Sequence, residues 1–491
     1  MLRDFLIYGL GGAASRLAAI FLVPLYTRTL DVTGYGQLEL LLAIYTLGIL
    51  LVGLQSESAI LRDYYGAKEK DWLKQLCWAG VLITLAGLFG IVGLAGLAVW
   101  LDFLDAELIR YIPLICVLAV AAQIFGIQLI MIRFEGQPVR FAMLSFFDVV
   151  GAAGLSVLFM AVLDWGIWGA LWGMTLAKLC ATLLSWRFTF GRMPEIWPGR
   201  RLYARMLAYA LPTMPSVLLN WLQTNGTRIL LAIFLALYDV AIASIAIRVA
   251  ALFGFVVYSF RLAWEPWAFR QLDVEDRDPD AFNKVLCGFV FAGLIALGMT
   301  VFVTPVLVAV FAPPAYVGAA ALVPAFVLGQ FWIGVMNITT IGIHGARVTS
   351  RLTWIFTIGA SLNVVVLAVF APIAGVASAA IAFVASTLAS AFASTWFSET
   401  HFETNFSWRL LSTTVAASCG FAFAAYLAFD AEGAFQRWYG WQIAILLASL
   451  WALMLVIVVY IGMKKTEREF LANSAKTAFG IAKHTIRQRM S

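Results

Sequence analysis

Apolar residues fall in long blocks along this chain, with short polar segments between them. The blocks lie at about 5–30, 34–60, 75–101, 111–132, 141–163, 166–186, 206–236, 239–262, 285–311, 319–344, 353–372, 374–397, 409–429 and 441–462. Each is near or above the roughly 20 residues that cross a hydrocarbon core as a helix. The pattern predicts an all-α polytopic membrane protein with about 14 transmembrane helices. The polar segments leave no room for a domain outside the bilayer. The longest on one side, Leu101–Arg110 and Asp430–Gly440, fit a turn or a surface helix.

Composition agrees. Of 491 residues, 63% are hydrophobic and 12% are charged, against about a quarter charged in a soluble chain. Mean hydropathy is +0.91. So few charges cannot build a water-soluble surface. The first block is too long for a signal peptide, and no small-residue cleavage site follows its charged start, so it is expected to remain as the first span. Cys77, Cys116, Cys180, Cys287 and Cys419 all lie in apolar blocks without a C-x-x-C pair. They are expected to fill helix contacts, not to form disulfides or bind zinc. His344, His401 and His484 show no ligand spacing. No metal or cofactor is expected.

The basic residues orient the chain. One set of connections carries Arg3, Arg62, Lys68, Lys70, Lys74, Arg133, Arg140, Arg187, Arg192, Arg200, Arg201, Arg205, Arg270, Arg277, Lys284, Arg347, Arg351 and Arg409; the other carries Arg28, Arg110 and Arg437. By the positive-inside rule the first set is cytoplasmic, and an even span number places both termini there. Arg187–Arg205, with Pro194 and Pro198, reads as a linker along the headgroups. The tail, residues 464–491, is basic. Its Leu471, Ala475, Ala478, Ala482 and Ile486 share one helical face, which suits either an interfacial helix on anionic lipid or a frayed soluble end.

The chain also repeats itself weakly. "LIYGLGGAASRL" (6–17) parallels "LAYALPTMPSVL" (207–218), "GIWGALWG" (166–173) parallels "GVASAAIA" (375–382), and Arg140 parallels Arg351. The offset is about 200–211 residues, so each repeat holds six spans. An even number makes the two six-helix lobes enter from the same side, related by an axis along the membrane normal, with a central cavity expected between them. The expected organisation is an N-terminal lobe with its linker at 1–205, a C-terminal lobe at 206–400, two extra helices at 401–463, and the tail.

Three stretches carry a family resemblance: "LVPLYTRTLDVTGYGQLELLLAIY" (22–45), "LPTMPSVLLNWLQTNGTRILLAIFLALYDVAIASIA" (211–246) and "AWEPWAF" (263–269). They resemble the Wzx-type oligosaccharide flippases, the polysaccharide-transport branch of the multidrug/oligosaccharidyl-lipid/polysaccharide (MOP) exporter superfamily. The resemblance covers about residues 1–400 and implies the same six-plus-six helix plan with two helices added. It further implies a bacterial inner-membrane protein that moves polyprenyl-pyrophosphate-linked oligosaccharide from the inner to the outer leaflet. Its partners would be that lipid-linked substrate, the bilayer, and a polysaccharide polymerase and glycosyltransferases, with no nucleic acid.

Ionisable groups at membrane depth mark the candidate site, since each costs about 2.5–3.5 kcal/mol on an insertion scale. They are Arg16 in span one, Glu39 and Glu57 in span two, Asp148 in span five, Lys178 in span six, Arg228 in span seven, and Arg248 and Arg261 in span eight. Cations outnumber acids, five to three. Salt-bridging alone would balance them, so the surplus points to an anionic guest, and the arginine fork fits phosphate oxygens. Arg16, Arg248, Arg228 and Arg261 are therefore the expected pyrophosphate ligands, with snorkelling to the headgroups the alternative for Arg261. Lys178 and Asp148 suit either a coupling role or a structural pair between neighbouring spans. Glu39 suits a coupling role or stabilisation of a helix start, and Glu57 an interfacial position. The resemblance to lipid II flippases implies arginines in the first and eighth helices and an acid in the second. Arg16, Arg261 and Glu39 match these in type and approximate depth.

Pro24 in span one, and Pro212 and Pro215 in span seven, sit in the equivalent first helices of the two lobes. Their bends suit alternating gates or fixed kinks. Ala379, Ala382, Ser386, Ala389, Ser390 and Ala393 in span twelve suit close helix packing. No G-x-x-x-x-G-K-[ST] motif occurs, so ATP hydrolysis is not expected. The function expected is a flippase, not an enzyme. A drug or cation exporter of the same fold is the alternative, disfavoured by the cation surplus. A membrane polysaccharide polymerase or ligase is a more distant one, disfavoured by the absence of a large outer loop.

Overall fold

The computed structural model describes residues 22–64, 72–100, 106–190, 197–272, 274, 278, 280–348, 350–430, 440–473 and 476. The described chain is helical and contains no strand. In order, the helices are α1 (Val23–Thr29), α2 (Val32–Gly53), α3 (Ser56–Tyr64), α4 (Trp72–Trp100), α5 (Ala106–Ile109), α6 (Ile112–Phe134), α7 (Pro138–Val157), α8 (Gly166–Thr189), α9 (Arg200–Thr224), α10 (Thr227–Phe234), α11 (Leu237–Leu272), α12 (Ala281–Phe311), α13 (Ala319–Thr339), α14 (Ile341–Gly345), α15 (Ser350–Ala374), α16 (Ala377–His401), α17 (Trp408–Asp430) and α18 (Gly440–Ile457). Short π-helical turns extend α7 through Val162 and α18 through Gly462.

Twelve of the described helical runs are long and apolar enough to cross a membrane. The two remaining expected spans are the equivalent first helices of the repeats. Most of span one falls on residues 1–21, outside the described residues. Span seven differs from the expectation of one continuous helix at 206–236: it is two helices, α9 and α10, parted at Asn225–Gly226. Asn220, Gln223 and Thr224 dilute its apolar character, and α10 alone, with 8 residues, is too short to cross. Span two is also divided. Leu54 and Gln55 adopt left-handed φ values of 43° and 58° between α2 and α3, a conformation that costs a side-chain-bearing residue energy.

Local sequence explains several ends. Asp31 caps α2, accepting from the Gly34 amide at 3.2 Å. Prolines occupy the first turns of α1, α6 and α7, where a missing N–H costs nothing. Gly166, opening α8, and Gly375, just before α16, both have φ of +53°. These are the matching glycines of the sequence repeat, and only glycine takes that conformation without penalty. The packing repeats too: α7 lies along α8 and α6 on α8, as α15 lies along α16 and α13 on α16.

The chain forms two compact units, residues 1–241 with 311–313, and residues 242–310 with 314–491. In the first, α2, α4, α6 and α8 form the interior. A cluster around Ile60, Leu76, Trp78, Ile127, Met131 and Met206 joins α3, α4, α6 and α9. In the second, α13 is the most enclosed helix and α16 packs along it.

Candidate functional site

The first unit brings together two charged residues from distant parts of the chain. Glu39 lies seven residues into α2, roughly 10 Å along its axis. Arg228 is the second residue of α10. Its Nε is 3.0 Å from Oε2 of Glu39, and the two side chains are 9% and 1% exposed. The Tyr35 hydroxyl, one turn earlier on α2, donates to Oε1 of Glu39 at 2.9 Å. The break in span seven makes this possible. It gives α10 an amino terminus of its own inside the helical bundle, and the pair forms at the positive end of that half-helix. Gly226 permits the turn, since a Cβ there would come within 2.6 Å of Leu222.

Contacts near this pair fasten the same end of the unit. A Cβ on Gly36 would sit on the carbonyl oxygen of Leu237, so α2 and the start of α11 meet backbone to backbone. The Thr27 hydroxyl at the end of α1 donates to the Phe311 carbonyl at 2.8 Å. Pro24 stands in the first turn of α1, and Pro212 and Pro215 lie within α9.

A second internal pair joins α7 to α8. Lys178 Nζ lies 2.5 Å from Asp148 Oδ2, with side chains 17% and 14% exposed, and 5.0 Å from the centre of the Phe125 ring on α6. Arg248 is half-buried on α11, eleven residues from its start and roughly 16 Å along it. Arg261, further along the same helix, pairs with Glu265 at 2.5 Å on an exposed surface. Glu57 is half-buried on α3, facing Gly126, where a Cβ would strike its carboxylate. Arg16 lies outside the described residues.

The structure therefore joins Arg228 to Glu39 and Lys178 to Asp148. Arg261 pairs locally, and Arg248 belongs to the other compact unit from Arg228. Tyr35 was missed from sequence, although its spacing of four residues from Glu39 puts it on the same helix face. Gln128 was missed as well: buried on α6, it donates to the Thr182 carbonyl at 3.2 Å and accepts from the Ser185 hydroxyl. No group of three metal-ligating acids, histidines or cysteines occurs among the described residues. Two acids outside the spans are shifted in opposite directions. Burial raises the pKa of Glu135, opposed by Lys74 and Arg140. A hydrogen bond from Lys284 lowers that of Asp278.

Comparison with known proteins places these features in context. The family described as "Polysaccharide biosynthesis protein" matches residues 1–272, more than half of the chain. No curated protein matches. Among solved structures, the chain is similar to the lipid II flippase MurJ in an inward closed conformation, at 12% identity and a TM-score of 0.66, covering 92% of this chain and 98% of that one. It is similar also to a multidrug resistance MATE family transporter of the MOP superfamily. The inward-facing conformation gives 15% identity, 80% and 94% coverage and a TM-score of 0.59. The outward-facing conformation gives 14%, 81%, 94% and 0.58. At such identities the likeness establishes the fold: an all-helical membrane architecture shared with MOP-superfamily transporters.

Proposed function

Because this chain belongs to the polysaccharide biosynthesis protein family, we propose that it is a flippase for polyprenyl-pyrophosphate-linked oligosaccharide. It carries the repeat unit of a polysaccharide from the inner to the outer leaflet of a bacterial inner membrane, with both termini cytoplasmic, and catalyses no covalent step. The family match over residues 1–272 is the observation that carries this reading. The MurJ-like fold supports it, since that protein too is a flippase of a lipid-linked substrate by name. Glycosyltransferases would supply the substrate and a polymerase would consume it.

Arginines receive the pyrophosphate: Arg16, Arg248, Arg228 and Arg261. The sugar occupies an aqueous cavity and the polyprenyl chain stays in lipid. Transport proceeds by alternating access, with bends at Pro24, Pro212 and Pro215 absorbing the movement. Glu39 gives Arg228 a defined resting state. While the carboxylate holds the guanidinium, the empty protein does not present that cation bare; an anionic diphosphate must displace Glu39 to bind there. An inside-negative potential then favours outward movement of the uncompensated substrate charge by about 2.3 kcal/mol per charge per 100 mV.

The test is the leaflet distribution of polyprenyl-linked oligosaccharide in cells with and without the protein, with Arg16→Ala, Arg248→Ala and Arg228→Ala alongside. Inner-leaflet accumulation in the deletion and in the arginine variants is expected. Accumulation in the deletion alone would keep the flippase and remove the cationic site. An unchanged distribution, with no redundant transporter present, would overturn the flippase. The MATE likeness makes a drug or cation exporter the second reading; an efflux assay on the same strains separates the two.

A further inference from the structure

The described residues that follow the last span are held against the second unit. After the π turn of α18, residues 465–473 form a further helix, and its start is bound into the second unit. Glu467, 5% exposed, accepts from the Lys464 amide at 2.7 Å, closing the first helical turn. Its other oxygen accepts from Asn283 Nδ2 on α12 at 2.6 Å. Asn283 in turn accepts from the Ser407 amide at 3.0 Å, beside the start of α17. The backbone direction of this helix is thus set by a buried hydrogen-bonded chain.

The outward side of the helix is cationic. Lys465 and Arg468 fall on one face at helical spacing with Ala472 and Lys476. Lys465 is 85% exposed, and Lys476 is exposed and helical. Residues 464–491 hold seven cations and two acids; of the acids, Glu467 is the buried one and Glu469 pairs with Lys465 at 4.0 Å. No acid follows residue 469. The helix also lies back against the end of the last span. The Arg468 guanidinium stands 5.4 Å from the centre of the Tyr460 ring. Tyr460 and Ile461 are exposed on that final turn, as is Phe470 on the helix. Tyrosine near a span end marks headgroup depth.

We propose that this helix is a binding surface for anionic phospholipid headgroups, with Lys465, Arg468 and Lys476 contacting lipid phosphate. The surface is independent of what the protein transports. Each basic residue near an anionic leaflet is worth about fivefold in binding, so the three together give on the order of a hundredfold.

The test is amide hydrogen exchange of the full-length protein in nanodiscs of phosphatidylcholine alone and mixed with phosphatidylglycerol. Wild type is compared with a Lys465→Gln, Arg468→Gln, Lys476→Gln variant. Exchange in residues 465–476 is expected to slow at least about fivefold with the anionic lipid, and to return to the neutral-lipid rate in high salt or in the variant. Unchanged exchange in α12 and α17 checks the fold of the variant. Equal exchange in both lipids would overturn the proposal, as would protection that persists in the variant. So would protection that ignores lipid and follows only added cytoplasmic extract, which would assign the surface to a protein partner.

Discussion

The two compact units hold long helices together with partly different chemistry. In a membrane, apolar side chains gain little from leaving lipid, so close packing and polar contacts must supply the association. The first unit adds charge to close approaches such as Gly36 on Leu237 and Gly173 on Ser156. Glu39–Arg228 is an enclosed pair and Asp148–Lys178 a half-buried one, and both cross between helices. The second unit uses notches. Gly293, Gly329 and Gly334 leave room for the rings of Phe331, Phe383 and Phe289, and buried Ser386, Ser390, Ser394 and Thr395 line the α16 face. The ion pairs Arg261–Glu265 and Lys284–Asp278 in that unit are at the surface. A notch is satisfied in one arrangement only, whereas an ion pair can exchange one partner for another anion. An enclosed ion pair is therefore the kind of contact that a charged ligand can displace.

Removing one member of the Glu39–Arg228 pair should have the largest effect. Arg228→Ala leaves a buried carboxylate uncompensated, at a cost of about 3–5 kcal/mol. Glu39→Gln with Arg228→Gln together should restore most of that stability, because neither charge is then buried alone. Apparent melting temperatures in detergent measure both. A double variant that is stable yet fails to flip substrate would separate the transport role of the pair from its structural one. An Arg228→Ala protein as stable as wild type would contradict the enclosed pair.

The second unit should break differently. A leucine at Gly334 meets the ring of Phe289 and lies near Val257, an overpacking cost of about 1–3 kcal/mol. A compensating Phe289→Ala should recover part of the loss, again as melting temperature. If Gly334→Leu is neutral by itself, α12 and α13 are less tightly interlocked than the notch implies, and the contrast between the units weakens.

How far the sequence reached follows from the same physics. The spans were legible because lipid imposes one demand, a long apolar helix, and 12 of the described helical runs meet it. The repeat was legible at Gly166 and Gly375, where a backbone conformation that favours glycine leaves a mark in composition. Lys178 and Asp148 sit on consecutive spans, so their pairing was among the expectations. The break at Asn225–Gly226 was not legible, since the residues on both sides continue a plausible span. The partnership of Arg228 with Glu39 was hidden for the same reason. The two are far apart in sequence, and only the unanticipated half-helix brings them together.

The smallest structural effect belongs to Arg261, and that makes it informative. Its pair with Glu265 is an exposed contact between residues four apart on one helix, a class worth about 0.3–0.5 kcal/mol. Arg261→Gln should therefore leave the melting temperature nearly unchanged. Any substantial loss of flipping in that variant cannot come from the fold and must come from a cation that substrate meets. Arg261→Lys then sharpens the result: a point charge keeps electrostatic attraction but loses the planar fork. Partial activity in the lysine variant would indicate simple attraction at the membrane surface, where a long basic side chain reaches the headgroups. Activity as low as in the glutamine variant would indicate bidentate recognition of phosphate. Full activity in both variants would leave Arg261 as a surface residue and move the phosphate site toward Arg248 and Arg228.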